Sequence, residues 1–237
     1  MADHMLMVLE DEDAHASQSP RQLAELIDQR AQFAEELRRS GRLRDRGRLR
    51  PSKHGKRTRR AGDRVRVDDG PFADGGKALA AYYWIDATSV EEAAQLAAAY
   101  PALASDDIDV RPVMRGGIDA DKEARPGKIF AFAVLGNTPS EDEWTKVMDR
   151  IDAETHHRFP LDAFLGGVRL EPPTTGRRVA TRGDRRAMFD GPFLESKEVI
   201  GGLFLVRMMS LDDAVQWAGE SRFVVHGTLE IRELWRS

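Results

Sequence analysis

The four residues DGPF stand at Asp69-Gly70-Pro71-Phe72 and again at Asp190-Gly191-Pro192-Phe193, 121 positions later. Laying the two segments on each other without gaps extends the match in both directions. Leu49 meets Leu170, Pro51 meets Pro172, Gly55 meets Gly176 and Arg57 meets Arg178. Gly62-Asp63-Arg64 meets Gly183-Asp184-Arg185, and Ser89, Ala93, Gln95 and Ala97 meet Ser210, Ala214, Gln216 and Ala218. About a third of the positions from Arg48 to Ala97 are identical in this one register. Two long repeat units predict two similar domains; a solenoid has short units in several copies. The expected limits are 1–113 for the first unit, 114–127 for a linker rich in glycine and charge, and 128–237 for the second.

Each unit reads as β-α-β-hairpin-β-α-β. Leu6 to Leu9 and Ile129 to Leu135 are apolar runs of strand length. Ser19-Pro20 opens a helix as N-cap and first-turn proline, and Gly41 closes it. Its apolar stripe is Leu23, Leu26, Ile27, Phe33 and Leu37. In the second unit, Thr138-Pro139-Ser140 precedes Trp144, Val147, Met148 and Ile151. Hairpins turn at Ala61-Gly62-Asp63 and Arg182-Gly183-Asp184, where glycine supplies positive φ. Strands at 79–85 and 202–207 follow DGPF, then helices capped by Ser89 and Ser210. The last strands are 108–113 and 228–234. The predicted class is α+β, built of two ferredoxin-like units with added hairpins.

The stretch Phe189 to Val206, FDGPFLESKEVIGGLFLV, resembles the YCII-related family in its DGPF form. The resemblance implies a dimeric α/β-barrel, with two ferredoxin-like sheets face to face. In a tandem chain that pair is expected within one chain, as a monomer with an intrachain pseudo-dimer, with a higher oligomer left open. The family includes members proposed to be enzymes using a His-Asp pair, and members encoded near extracytoplasmic-function sigma factors. The latter implies a regulatory setting. This sequence departs from the family pattern at the histidine of the first helix, where Arg30, Ala31 and Phe33 stand. In the second unit His156-His157 lie a few residues out of register.

DGPF has two readings. Asp can close an Asx-turn, Gly admits a close backbone approach and Pro fixes the turn, which is a structural role. Alternatively Asp69, Gly70, Pro71, Asp190, Gly191 and Pro192, with Lys197 and Glu198, line a cleft for an unidentified small molecule. Asp190 is then the candidate catalytic carboxylate, acting as a base if burial raises its pKa. A second function class rests on charge. Arg38 to Arg66 holds fourteen Lys or Arg against Asp45 and Asp63. Alternation puts Arg44, Arg46, Arg48 and Arg50 on one strand face, suited to an acidic protein partner. Aromatic interleaving is absent and the net charge is -4, which argues against nucleic acid.

The 237 residues contain no cysteine, so disulfides and thiolate chemistry are excluded and a cytoplasmic setting is expected. No signal segment is evident and no apolar run approaches about 18 residues, so no membrane association is expected. Glu10-Asp11-Glu12-Asp13 lacks the spacing of a calcium loop and reads as solvated. His156-His157 point to different faces, and no Walker, Rossmann or Ser-His-Asp pattern occurs. No cofactor or metal is expected.

Overall fold

The computed structural model describes residues 2–62, 64–72, 76–118, 126–137, 146, 163–182, 185–191, 198–220 and 227–235. In chain order the elements are β1 (Ala2–Glu10), α1 (Glu12–Ala16), α2 (Pro20–Arg39), β2 (Leu43–Leu49), β3 (Lys56–Ala61) and β4 (Arg64–Asp69). Then come β5 (Ala78–Ala87), α3 (Val90–Ala98), β6 (Asp107–Ile118), β7 (Lys128–Asn137) and β8 (Phe164–Leu170). The chain continues with β9 (Arg177–Arg182), β10 (Arg185–Asp190), β11 (Glu198–Met208), α4 (Leu211–Glu220) and β12 (Thr228–Trp235). One-turn 3-10 helices stand at Ser52–His54 and Pro173–Thr175, ahead of β3 and β9. The expected α+β class holds. The expected helix around 138–151 and His156-His157 fall outside the described residues.

The compact units do not coincide with the sequence repeats. Unit 1 is assembled from 1–48, 72–113 and 173–195, and unit 2 from 49–71, 114–172 and 196–237. In unit 1 the antiparallel order is β2-β5-β1-β6-β9-β10, so the hairpin of the second repeat extends the sheet of the first. In unit 2 it is β8-β11-β7-β12-β3-β4, with the hairpin of the first repeat on the far edge. The physical motive is the open edge. A terminal strand such as β6 or β12 presents unpaired N–H and C=O groups, and a hairpin covers them. A hairpin's own sequence does not say which edge it will cover. Residues 114–118, expected as linker, continue β6.

Alternation along β1 sends Leu6 and Val8 into the core of unit 1. There they meet Phe33, Ala34 and Leu37 of α2, Ala93, Ala94 and Ala97 of α3, and Tyr83 and Ile85 of β5. α2 begins with a capping box, Ser19 with Gln22, worth about 1 kcal/mol for such a cap. Its buried face is Leu26, Arg30, Phe33, Ala34 and Leu37. The expected stripe is therefore corrected at Ile27, which is exposed. Arg30, one turn beyond Leu26, takes the inward position instead. In unit 2, Phe132 and Phe204 stack at 4.9 Å, with Trp217 of α4 edge-on to Phe132 at 5.3 Å.

Candidate functional site

The polar side chains buried in unit 1 gather where β1 ends. Glu10 is the next inward position after Leu6 and Val8, and is 3% exposed. The expectation that Glu10 belongs to a solvated acidic loop is thus corrected: strand alternation, not the neighbouring acids, decides its place. Its carboxylate accepts Arg48 Nη1 at 2.9 Å and Arg48 Nη2 at 2.8 Å. Arg30 Nη1 lies 2.9 Å from Glu10 Oε1. Burial pushes the Glu10 carboxyl up, but the Arg48 hydrogen bonds and the charges of Arg48, Arg30 and His15 outweigh it and hold the pKa below the usual 4.5.

Directly after β1, Asp11 caps α1 by accepting Ala14 N at 3.0 Å. That short helix turns His15 back onto the sheet. His15 Nε2 lies 2.9 Å from Asp106 Oδ2 and 3.1 Å from Oδ1, and 3.8 Å from Glu10 Oε2. Asp106 is wholly buried ahead of β6. It is held by Leu103 N at 2.8 Å and Asp11 N at 3.3 Å. A carboxylate accepts, so Nε2 donates, and the neutral imidazole keeps its lone pair on Nδ1. The His15 side chain is 11% exposed and that of Asp106 not at all. The imidazole therefore stands between the buried carboxylate and the outside.

Aromatic rings wall the cluster. Phe33, Tyr83 and Tyr100 meet edge to face at 5.4–5.6 Å, and the Arg30 guanidinium lies 5.3 Å from the Tyr100 ring centre. Burial pushes both phenols above their usual 10, so they stay protonated near neutral pH. Arg30 Nε donates to Pro101 O at 3.0 Å. From β10, Arg186 Nη1 donates to the neighbouring carbonyl, Tyr100 O. The ligand atoms of Glu10, His15 and Asp106 lie within 4.8 Å of one another, a spacing compatible with a metal ion.

The YCII-related domain matches residues 4–116 and 164–237, most of the sequence. The chain belongs to the YCII-related family. Two solved structures are similar at low level. An anthrone oxidase-like protein is 11% identical at a TM-score of 0.39, covering 99% of this chain and 92% of its own. A candidate chlorite dismutase is 9% identical at a TM-score of 0.40, covering 100% and 96%. No curated protein matches.

In this YCII-related chain the Asp-Gly pairs of the two DGPF segments make equivalent contacts 121 residues apart. Gly70 N donates to Gly55 O at 3.2 Å, and Gly191 N to Gly176 O at 3.2 Å. A Cβ on Gly70 would stand 1.9 Å from Ser52 O, and one on Gly191 2.6 Å from Pro173 O. Each glycine thus lies against the 3-10 turn that precedes its hairpin. Asp69 pairs with Lys56, and Asp190 with Arg177 at 3.2 Å, across the two strands of each hairpin. Their side chains are 76% and 89% exposed. Pro71 is exposed and Phe72 buried. Pro192 and Lys197 lie outside the described residues, and Glu198 opens β11. Neither DGPF aspartate is among the residues gathered around Glu10, His15 and Asp106.

The arginine row divides. Arg48 is drawn into the cluster by Glu10. Arg44 donates to Asp86 at 2.5 Å, Arg46 stands opposite Tyr83 in the β2–β5 ladder, and Arg50 lies 3.6 Å from Glu233. Of the clustered residues, sequence reading placed Arg48 on a partner face and Arg30 in a departed family position. It overlooked His15 and Asp106, which stand 91 residues apart. For Glu10 a signal existed: the two-residue period running through Leu6 and Val8.

Proposed function

We propose that this YCII-related protein binds a small molecule at the Glu10–His15–Asp106 cluster and moves a proton on it, with His15 as the base. The hydrogen bond from His15 Nε2 to the buried Asp106 carboxylate carries the reading. It orients the ring and leaves Nδ1 to accept a proton. The imidazolium that forms is stabilised by Asp106 at 2.9 Å and Glu10 Oε2 at 3.8 Å. The ligand cleft is thus sought here and not around Asp190, whose carboxylate is exposed and paired with Arg177.

A divalent cation on the same three side chains is the lesser reading. Glu10 already faces two guanidinia, and Asp106 already receives His15 and two backbone N–H groups. A metal would have to break these bonds and bring charge beside Arg30 and Arg48. An acidic partner on Arg44, Arg46, Arg48 and Arg50 is also weaker, because Arg44, Arg48 and Arg50 each have an intrachain carboxylate to give up.

The test is proton exchange. Enolisable ketones and 2-oxo acids are incubated in D2O with the wild type and with His15→Gln, and loss of C–H signals is followed by 1H NMR. The wild type accelerates exchange in at least one compound, and His15→Gln does not. Equal rates for the two proteins across the panel would refute the assignment.

A further inference from the structure

Two arginines around the cluster each leave one guanidinium nitrogen buried and without a hydrogen bond: Arg30 Nη2 and Arg186 Nη2. They reach the same place from different parts of the chain. Arg30 comes from α2 and grips Pro101 O; Arg186 comes from β10 and grips the adjacent Tyr100 O. Asp106 Oδ2 lies 3.8 Å from Arg30 Nη2, too long for a hydrogen bond. The Tyr100 hydroxyl is likewise buried and unbonded. Buried donors left unmade are costly, and a buried guanidinium more so than a neutral group. These groups are therefore placed for an acceptor that the described residues do not provide.

The charge count says what kind of acceptor. Among the described residues of the cluster, Glu10 and Asp106 face Arg30, Arg48 and Arg186. Asp107 is already matched by Lys77 at 2.6 Å. One positive charge is in excess. Burial, with repulsion from Arg30, holds the Arg186 pKa below its usual value, and Asp106 and Asp107 offset this only in part. A single negative charge balances the site; a dianion would overshoot it, and a neutral ligand would leave the surplus unanswered.

We propose that Arg30 Nη2 and Arg186 Nη2, on guanidinia held by the adjacent carbonyls of Pro101 and Tyr100, receive the carboxylate of a small organic monoanion whose reactive end lies toward His15. This rests on the His15–Asp106 reading and adds the substrate class to it. Position 65, the repeat equivalent of Arg186, is valine. Arg186 belongs to the second repeat, yet β10 is part of unit 1, so the exchanged hairpin completes the site that carries His15.

Benzoate, salicylate, neutral benzamide and inorganic phosphate are titrated into 15N-labelled wild type and Arg186→Met, reading shifts at His15 and Tyr100. Arg186 is half-buried and its loss spares the Glu10 pairs, so the variant folds; its spectrum verifies this. The carboxylates bind the wild type more tightly than benzamide or phosphate, and Arg186→Met weakens them about tenfold or more, as for loss of a charged hydrogen bond. Benzamide is unaffected by the substitution. If carboxylates and benzamide bind alike, or if Arg186→Met leaves the carboxylates unchanged, the anion assignment falls while the His15 site stands. If no probe shifts His15, both fall.

Discussion

Replacing Glu10 by Gln separates a buried ionic cluster from a decorated surface. The substitution keeps the shape, removes the charge and turns an amide NH2 toward guanidinium donors. Three short contacts are damaged: two from Arg48 and one from Arg30. They do not weigh equally. The Arg48 side chain is 38% exposed and regains water, whereas that of Arg30 is 9% exposed and does not. The cost is therefore set by the stranded Arg30, and breaking such a buried pair costs about 3–5 kcal/mol. Arg30→Met alone strands part of Glu10 but leaves Arg48 on it, so it costs less, about 2 kcal/mol. The double variant has no buried cation left to strand. Its cost falls short of the sum of the singles by about 2 kcal/mol. Urea unfolding followed by circular dichroism at pH 7, on all four proteins, gives the cycle. A Glu10→Gln cost below about 1 kcal/mol, or additivity of the two changes, would show that Arg30 and Glu10 are not coupled in a desolvated pair.

Gly70→Ala forces a Cβ to 1.9 Å from Ser52 O and 2.7 Å from Ser52 C, so the backbone must move, at about 3 kcal/mol or more. Asp69→Ala, at an exposed side chain, stays within about 0.5 kcal/mol; the reverse order in thermal melts would overturn the turn-packing account of DGPF. Residues 1–118 and 124–237, expressed apart, each lack the hairpin that extends their sheet. Each is expected to be unfolded or self-associated, and the two to co-elute as a 1:1 complex on mixing. Two independent folded monomers in size-exclusion chromatography with light scattering would contradict the exchange.

The parts of the fold that were legible in the sequence are those fixed locally. Ser19-Pro20 marked the start of α2, Gly62 has the positive φ a tight turn needs, and apolar runs marked β1, β5, β7 and β11. The repeat register reaches down to single contacts, such as the equivalent pairs Arg57–Glu230 and Arg178–Asp109. The exchange of hairpins was not legible, because β3 would suit any open antiparallel edge. The site was legible only in fragments. Glu10 obeys the β1 alternation, but its acidic neighbours suggested solvent. Arg30 falls on the buried face of α2, where a charge is expected only with a partner, and that partner lies 20 residues away in sequence. His15 and Asp106 carry no local signal. DGPF drew attention because it repeats; its contacts in both places are those of a packed turn.

The account rests on His15 donating from Nε2 to Asp106 and leaving Nδ1 to accept a proton. Long-range 1H–15N NMR on protein labelled at the histidine rings reads this directly. In the neutral form of the ring the prediction is a proton-bearing Nε2 and a bare Nδ1 for His15, with the tautomer preference lost in Asp106→Asn. A neutral His15 ring carrying its proton on Nδ1 would contradict it.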